Sequence, residues 1–229
     1  MPSTAAEPSE PREGGTMNSP DRTLDWVLSV LLVLQGLLLV VVGVAVRRFA
    51  SPERSREIVA EMEVKSTVIP EVDLVETVTQ LLTWTGVGTA AAGALLLALG
   101  AAFPFYRGRL RRRTGEAAPP VDDPTAFVAG AAASGLTGSV PLGPAVVGGA
   151  LGYYCGADRS DGLRLGLIGG LGVAAPTVVL VAFPTAATAT GPAAPVAAVL
   201  AVAAFVAALY AVLVSALGGV LGVVIAEWD

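Results

Sequence analysis

The sequence predicts an all-α protein, a polytopic bundle of transmembrane helices with about five spans, on three observations. The 229 residues are 54% hydrophobic and only 14% charged, where soluble domains carry roughly 25% charge, and the mean hydropathy is +0.70. All ionisable acids and bases of the Asp, Glu, Lys and Arg kind fall in five patches: 1–25, 47–76, 107–123, 158–164 and the last three residues. The stretches between them are long. Roughly 18 or more apolar residues suffice to cross a bilayer, and a charge at its centre costs about 2.5–3.5 kcal/mol even on a lenient scale. Charge confined to the margins of long oily runs is therefore the pattern of an integral membrane protein of the cell membrane.

Residues 1–25 are acidic and rich in Pro, Ser and Gly, which reads as a disordered cytoplasmic tail. The run Trp26–Val46 that follows is 21 residues long. A secretory signal has a basic start and an apolar core of roughly 7–15 residues, so this run is expected to be a retained first span. Arg47 and Arg48 close it. Gln35, near its centre, is its one strongly polar side chain, and a contact to a neighbouring helix explains it better than a transport role.

In "SPERSREIVAEME", Ser51 can cap a helix, Pro52 suits its first position, and Ile58, Val59 and Met62 fall on one face. This predicts a short amphipathic helix lying against the membrane or the bundle. After Pro70, "EVDLVETVTQLLTW" restarts a helix expected to run into a second span, about Leu81–Tyr106. Trp84 near one end and Phe105 and Tyr106 at the other mark two interfaces. Residues 26–106 thus form a two-span unit with an amphipathic extracytoplasmic loop.

Residues 107–125 read as an Arg-rich cytoplasmic linker. Arg107, Arg109, Arg111, Arg112 and Arg113 abut the second span, and a basic cluster in that place is foremost a topology signal. Contact with anionic lipid is a by-product of that reading, and nucleic acid is not an expected partner.

Residues 126–229 are the Gly-rich C-terminal membrane domain. Small residues recur every fourth position: Gly130, Ser134 and Gly138; Gly148, Gly152 and Gly156; Gly166 and Gly170; Gly218 and Gly222. Such faces let helix backbones approach closely. The first apolar segment, to about residue 154, carries Pro141 and Pro144 in its middle. It is either one kinked span, the slightly favoured reading, or two half-helices dipping in and out. Two further spans follow, about Leu165–Phe183, which Pro176 should bend, and one drawn from Pro195–Ala226. With five spans the basic residues divide seven against seven between the two sides; with a re-entrant hairpin they divide nine against five. Both arrangements are read with a cytoplasmic N-terminus.

Between the prolines and the next span lies "GYYCGADRSDGLRLG". Asp158 and Asp161 could serve as an acid/base pair or bind a cation, with Arg159 and Arg164 steering an anion. The simpler reading is a turn. Gly156 ends one helix, Asp158 or Ser160 caps the next, Asp161 faces the positive end of its dipole, and Arg159 and Arg164 pair with those acids or snorkel to head groups. The chain has no histidine and one cysteine, Cys155, so the usual zinc, copper and haem ligand sets are missing. No cofactor is expected, and no residue is singled out as catalytic, cofactor-binding or metal-ligating. A carboxylate-only site for a hard cation is the one open alternative.

The stretches "VPLGPAVVGGALGYYCGADRSDGLRLGLIGGL" and "SALGGVLGVVI" resemble a haloarchaeal membrane family known as domain of unknown function 5518. The resemblance covers about Ala126–Ile225, and the charged loop is its most specific part. Cys155 departs from the family's pattern, which argues against shared thiol chemistry. The resemblance implies membrane location and helical build, and no activity. Lys65 is the only lysine against 13 arginines and the isoelectric point is about 4.8, a balance that fits a salt-loving organism. A non-enzymatic helix-packing scaffold or assembly component is the expected function, with a small transporter or pore subunit for a neutral solute as the alternative. The expected partners are the lipid bilayer and a second copy or other membrane proteins.

Overall fold

A computed structural model describes residues 20–61, 71–114, 121–137, 140–190 and 193–228. The described residues form seven α-helices and no strand: α1 (Pro20–Phe49), α2 (Pro52–Glu61), α3 (Glu71–Thr114), α4 (Asp123–Thr137), α5 (Gly143–Cys155), α6 (Arg159–Thr188) and α7 (Ala194–Ala226). Four of them, α1, α3, α6 and α7, are long and apolar enough to cross a membrane. The protein is membrane-embedded by that measure, and the helical bundle expected from the sequence is present.

α1 and α3 run antiparallel along a seam of glycines seven residues apart. A Cβ added at Gly36 would sit 2.7 Å from the Gly93 carbonyl oxygen, and one at Gly93 would sit 2.6 Å from that of Gly36. Gly43 and Gly86 repeat the reciprocal contact at 2.6 and 2.7 Å. Only residues without a side chain allow the two backbones this close. Ser51 caps α2 as expected, its hydroxyl accepting from the Arg54 N–H at 3.3 Å. The inner face of α2 centres on fully buried Ser55, which accepts from the Thr79 hydroxyl of α3 at 2.8 Å. Ile58 and Val59 are half-buried beside it, and Met62 lies outside the described residues.

α3 does not stop at Tyr106. It continues for two more turns and carries all five arginines to Thr114, so the stretch read as a linker is helical over 107–114. Likewise α1 begins at Pro20, taking Asp25 out of the expected tail; residues 1–19 lie outside the described residues. The intervening 115–120 are also outside them.

The proline-bearing segment forms two separate helices. α4 is 15 residues and α5 is 13, or about 22 and 20 Å at the helical rise, each short of a hydrocarbon core about 30 Å thick. α4 lies parallel to α6, its first residue Asp123 meeting Arg164 near the start of α6, and the two pack closely at Gly130 under the Gly169 carbonyl and Gly172 under that of Phe127. α5 runs back the other way, from a tip where Val140 and Pro144 lie beside Val173, Ala174 and Thr177. Its end at Cys155 lies beside Asp122, Asp161 and Arg164. The slightly favoured single kinked span is thus replaced by a hairpin whose outer ends share one side of the bundle. Pro141 and Pro144 explain the break: they remove two backbone donors and hold φ near −65° where α4 would otherwise continue.

α4 is the wedge between two apolar cores. Val128, Ala131 and Ala132 pack with Leu28, Leu32, Leu96 and Phe103 of α1 and α3. Ala126 packs with Val147, Leu151, Leu165, Val173 and Ala211 of α5, α6 and α7. α3 also reaches α6 directly, where Gly88 lies under the Leu180 carbonyl. α4 and the Gly88–Leu180 contact join the α1–α3 pair to the C-terminal helices.

Candidate functional site

The charged residues that touch across elements gather at the mouth of the α4–α5 hairpin. α4 starts there because Asp122 caps it. Its carbonyl accepts from the Ala126 N–H at 2.9 Å, and its carboxylate accepts from the Thr125 N–H at 3.1 Å and from the Thr125 hydroxyl. The other carboxylate oxygen accepts from the Tyr106 hydroxyl of α3 at 2.6 Å, and the Arg107 guanidinium stands 3.9 Å away. Burial alone would raise the Asp122 pKa. The Thr125 and Tyr106 hydrogen bonds and the Arg107 charge outweigh it, so the group is held below its ordinary value.

Arg107 is 3% exposed and lies 3.1 Å from the Asp25 carboxylate of α1, itself 8% exposed at the side chain. Arg111, one turn on, pairs with the other oxygen of Asp25. Two of the five arginines therefore pair with an acid inside the bundle, a contact that the sequence reading did not include. Residues 107 and 111 share one helical face, and that face turns inward onto an acid. Arg109, Arg112 and Arg113 are on the outward side and exposed.

The charged loop behaves as a turn, with one correction. Asp158 is the cap of α6, with extended backbone angles and a carboxylate accepting from the Asp161 N–H and the Ser160 hydroxyl, both at 2.9 Å. The Asp161 backbone bond, then the Ser160 hydroxyl, hold its pKa below the ordinary carboxylate value. Asp161 occupies the first turn as expected. Arg159 and Arg164, however, do not pair with these acids. Arg159 reaches Glu227 beyond α7 at 3.2 Å, and Arg164 reaches Asp123 at the start of α4 at 2.5 Å. Acids two to three residues away sit on the same turn, where Asp158 is already engaged by the α6 N-terminus; the arginines extend to neighbouring helices instead.

Between these groups is a cleft of about 450 Å³ bordered by Tyr106, Asp122, Asp123, Cys155, Asp161 and Arg164. Burial pushes the Cys155 thiol above its ordinary pKa, the opposite of what activates a nucleophilic cysteine. Among the described residues no group of three His, Cys, Asp or Glu could hold a metal ion. What the arrangement does chemically is fasten helix ends: α1 to α3, α3 to α4, α4 to α6 and α6 to α7.

The small residues named from sequence divide among different partners. Gly148 lies under the Ser215 carbonyl and Gly152 under that of Gly219, so that α5 lies along α7. Gly218 and Gly222 face back onto the Ala145 and Gly149 carbonyls. On α6, a Cβ at Gly166 would sit 2.5 Å from the Ser215 carbonyl and one at Gly170 would sit 2.7 Å from the Val212 Cα. Gly156 has φ −75°, which any residue adopts, and is glycine because a side chain there would strike Val223. Gly130 meets α6, whereas Ser134 meets α1, its hydroxyl 3.0 Å from the Gln35 amide. Gln35 is an interhelical contact as expected. A Cβ at Gly135 would lie 2.7 Å from the end of its side-chain amide. Gly138 lies outside the described residues.

Sequence reasoning passed over Asp25, Asp122, Asp123 and Glu227, and the seam Gly36, Gly43, Gly86 and Gly93. The seam had a signal, two glycine pairs each spaced by seven. The acids had none, because each is paired by a residue distant in sequence. Compared with protein-family models, characterised proteins and solved structures, the chain matches none, and the resemblance of Ala126–Ile225 rests on its quoted stretches.

Proposed function

We propose that this chain is a non-enzymatic, multi-pass protein of the cell membrane whose work is helix association, as a scaffold or assembly component. The observation that supports it is backbone-on-backbone packing at glycines in both halves of the bundle, with no Asp, Glu, Lys or Arg in the apolar stretches 26–46, 77–106, 165–188 and 194–226. Ionisable groups in those places are what mark most proton and ion routes. The N-terminus is cytoplasmic in this reading. With α4 and α5 as a re-entrant hairpin, the basic residues divide nine against five in favour of the side holding the N-terminus, Arg107–Arg113 and the 158–164 loop. The resemblance to the haloarchaeal family carries the same location and build, with no activity attached.

One observation favours the second reading, a transporter or pore subunit for a neutral solute: helices broken within a membrane bundle often flank binding sites, and α4 and α5 are such a pair. Reconstituted liposomes separate the two. The scaffold reading expects neutral-solute flux at the empty-liposome baseline; flux above it that Gly148→Leu abolishes would replace that reading with the transporter. For topology, single cysteines at Gly115 and Ser160 in a Cys155→Ser background are expected to label from the same side. Labelling from opposite sides overturns the hairpin and restores five spans.

A further inference from the structure

The outward side of the α3 C-terminus is the surface whose chemistry points furthest. Five arginines end this helix, and helical geometry sorts them into two sets. Arg107 and Arg111 face Asp25 and Asp122 and are neutralised there. Arg109, Arg112 and Arg113 are exposed and make no ion pair or hydrogen bond with any described residue. The surplus is three positive charges on one side of one helix in a chain whose net charge is −5.

Their height on the bundle is set independently. Exposed aromatic rings stand around this end: Trp26 on α1 at 71%, Phe105 on α3 at 80%, Tyr154 on α5 at 78% and Trp228 after α7 at 82%. The pairs Asp25–Arg107, Arg107–Asp122, Asp123–Arg164 and Arg159–Glu227 link the ends of α1, α3, α4, α6 and α7 in one chain at this end of the bundle. Exposed aromatics in such a ring belong at the boundary between hydrocarbon and head groups. Arg109 and Arg112 follow Phe105 by four and seven residues, the spacing that stacks side chains on one helix face. Their Cα atoms are about 6 and 10 Å further along the axis. Helical side chains lean toward the helix N-terminus, which brings these guanidinium groups back toward the plane that Phe105 marks. That is the depth of lipid phosphates. Arginine presents planar, paired donors matched to phosphate oxygens, and such contact pairs withstand salt that screens long-range attraction.

We propose that Arg109, Arg112 and Arg113 form a binding surface for the phosphate of anionic phospholipids in the leaflet at this end of the bundle. The surface selects anionic over zwitterionic head groups, since the choline of a zwitterionic lipid opposes the guanidinium charges. It rests on the membrane location of the chain and not on the scaffold reading, and it stands or falls apart from whether the protein moves a solute.

The test is native mass spectrometry of the full-length protein in detergent with equal phosphatidylglycerol and phosphatidylcholine. The wild-type protein is expected to retain phosphatidylglycerol at least tenfold in preference. Each arginine contributes about fivefold near an anionic surface, so R109Q/R112Q/R113Q should lose most of the preference. R109K/R112K/R113K should keep an intermediate part of it. Arg159→Gln, which removes a cation already paired with Glu227, should leave it unchanged. All three positions are exposed, so helicity and monodispersity of the variants should match the wild type. Equal retention of both lipids by the wild type overturns the proposal. So does an unchanged preference in the glutamine triple variant, displacement of the lipid by millimolar inorganic phosphate, or equally tight retention of an oligonucleotide.

Discussion

The α1–α3 pair and the α4–α7 unit close their helix contacts by opposite means. α1 and α3 touch at glycines spaced by seven, once per two turns, and lock their ends with an ion pair out of water, Asp25–Arg107 at 8% and 3% exposure. α5, α6 and α7 touch at glycines spaced by three and four, almost every turn, and their end pairs, Arg159–Glu227 and Arg164–Asp123, stand in water at 41–65% exposure. Density of backbone contact and burial of charge trade places. In lipid no hydrophobic effect draws helices together, so each unit needs a directional or close-range attraction, and the two units rely on different ones.

The largest expected effect tests the buried charge. Asp25→Asn leaves Arg107 buried with its nearest acid gone, which should lower stability by about 3–5 kcal/mol, read as the midpoint of denaturation in mixed detergent micelles. A loss no larger than that of Arg159→Gln would erase the contrast between the units. Next come the glycines. Gly152→Leu and Gly219→Leu drive a side chain into a facing carbonyl and should cost about 3 kcal/mol each, the upper part of the overpacking range. Gly36→Leu meets a looser seam and should cost less. Equal losses at Gly36 and Gly152 would show that spacing does not govern the grip.

Smaller still is the pH response of the joint between the units. The Asp122 pKa is depressed in the folded protein; its stabilisation is present at pH values above the ordinary carboxylate pKa, near 4, and is lost as pH falls through the lowered value. Acidification below about pH 4 should therefore loosen α4 from α3, with Asp122→Asn flattening that part of the profile. Labelling of Cys155, which borders the same cleft, is the readout, taken at each pH as the ratio of the wild-type rate to the Asp122→Asn rate so that the thiol's own ionisation cancels. The smallest effect is Arg159→Gln, under about 1 kcal/mol for an exposed pair.

Much of this was legible in the chain. The alternation of charged patches with oily runs dictates helices in lipid, because a backbone in hydrocarbon must satisfy its own hydrogen bonds. Gly148, Gly152, Gly166, Gly170, Gly218 and Gly222 stood out because close helix packing needs small residues at helical intervals, and Asp158 stood out because caps are local. Gln35 could be named as a contact, yet its partner Ser134 lies 99 residues away. The partners of Arg107, Arg111, Arg159 and Arg164 were not legible for the same reason.

Sequence by itself determined the solvent of each segment, the helical periodicity and the places where two backbones can meet, since these follow from the chemistry of one residue and its neighbours within a turn or two. Only the tertiary structure decided that the proline-broken segment folds back as a hairpin, that two of five clustered arginines turn inward, and that acids far apart in the chain gather at its mouth. Those outcomes depend on which helix lies beside which, a choice made by packing between distant segments.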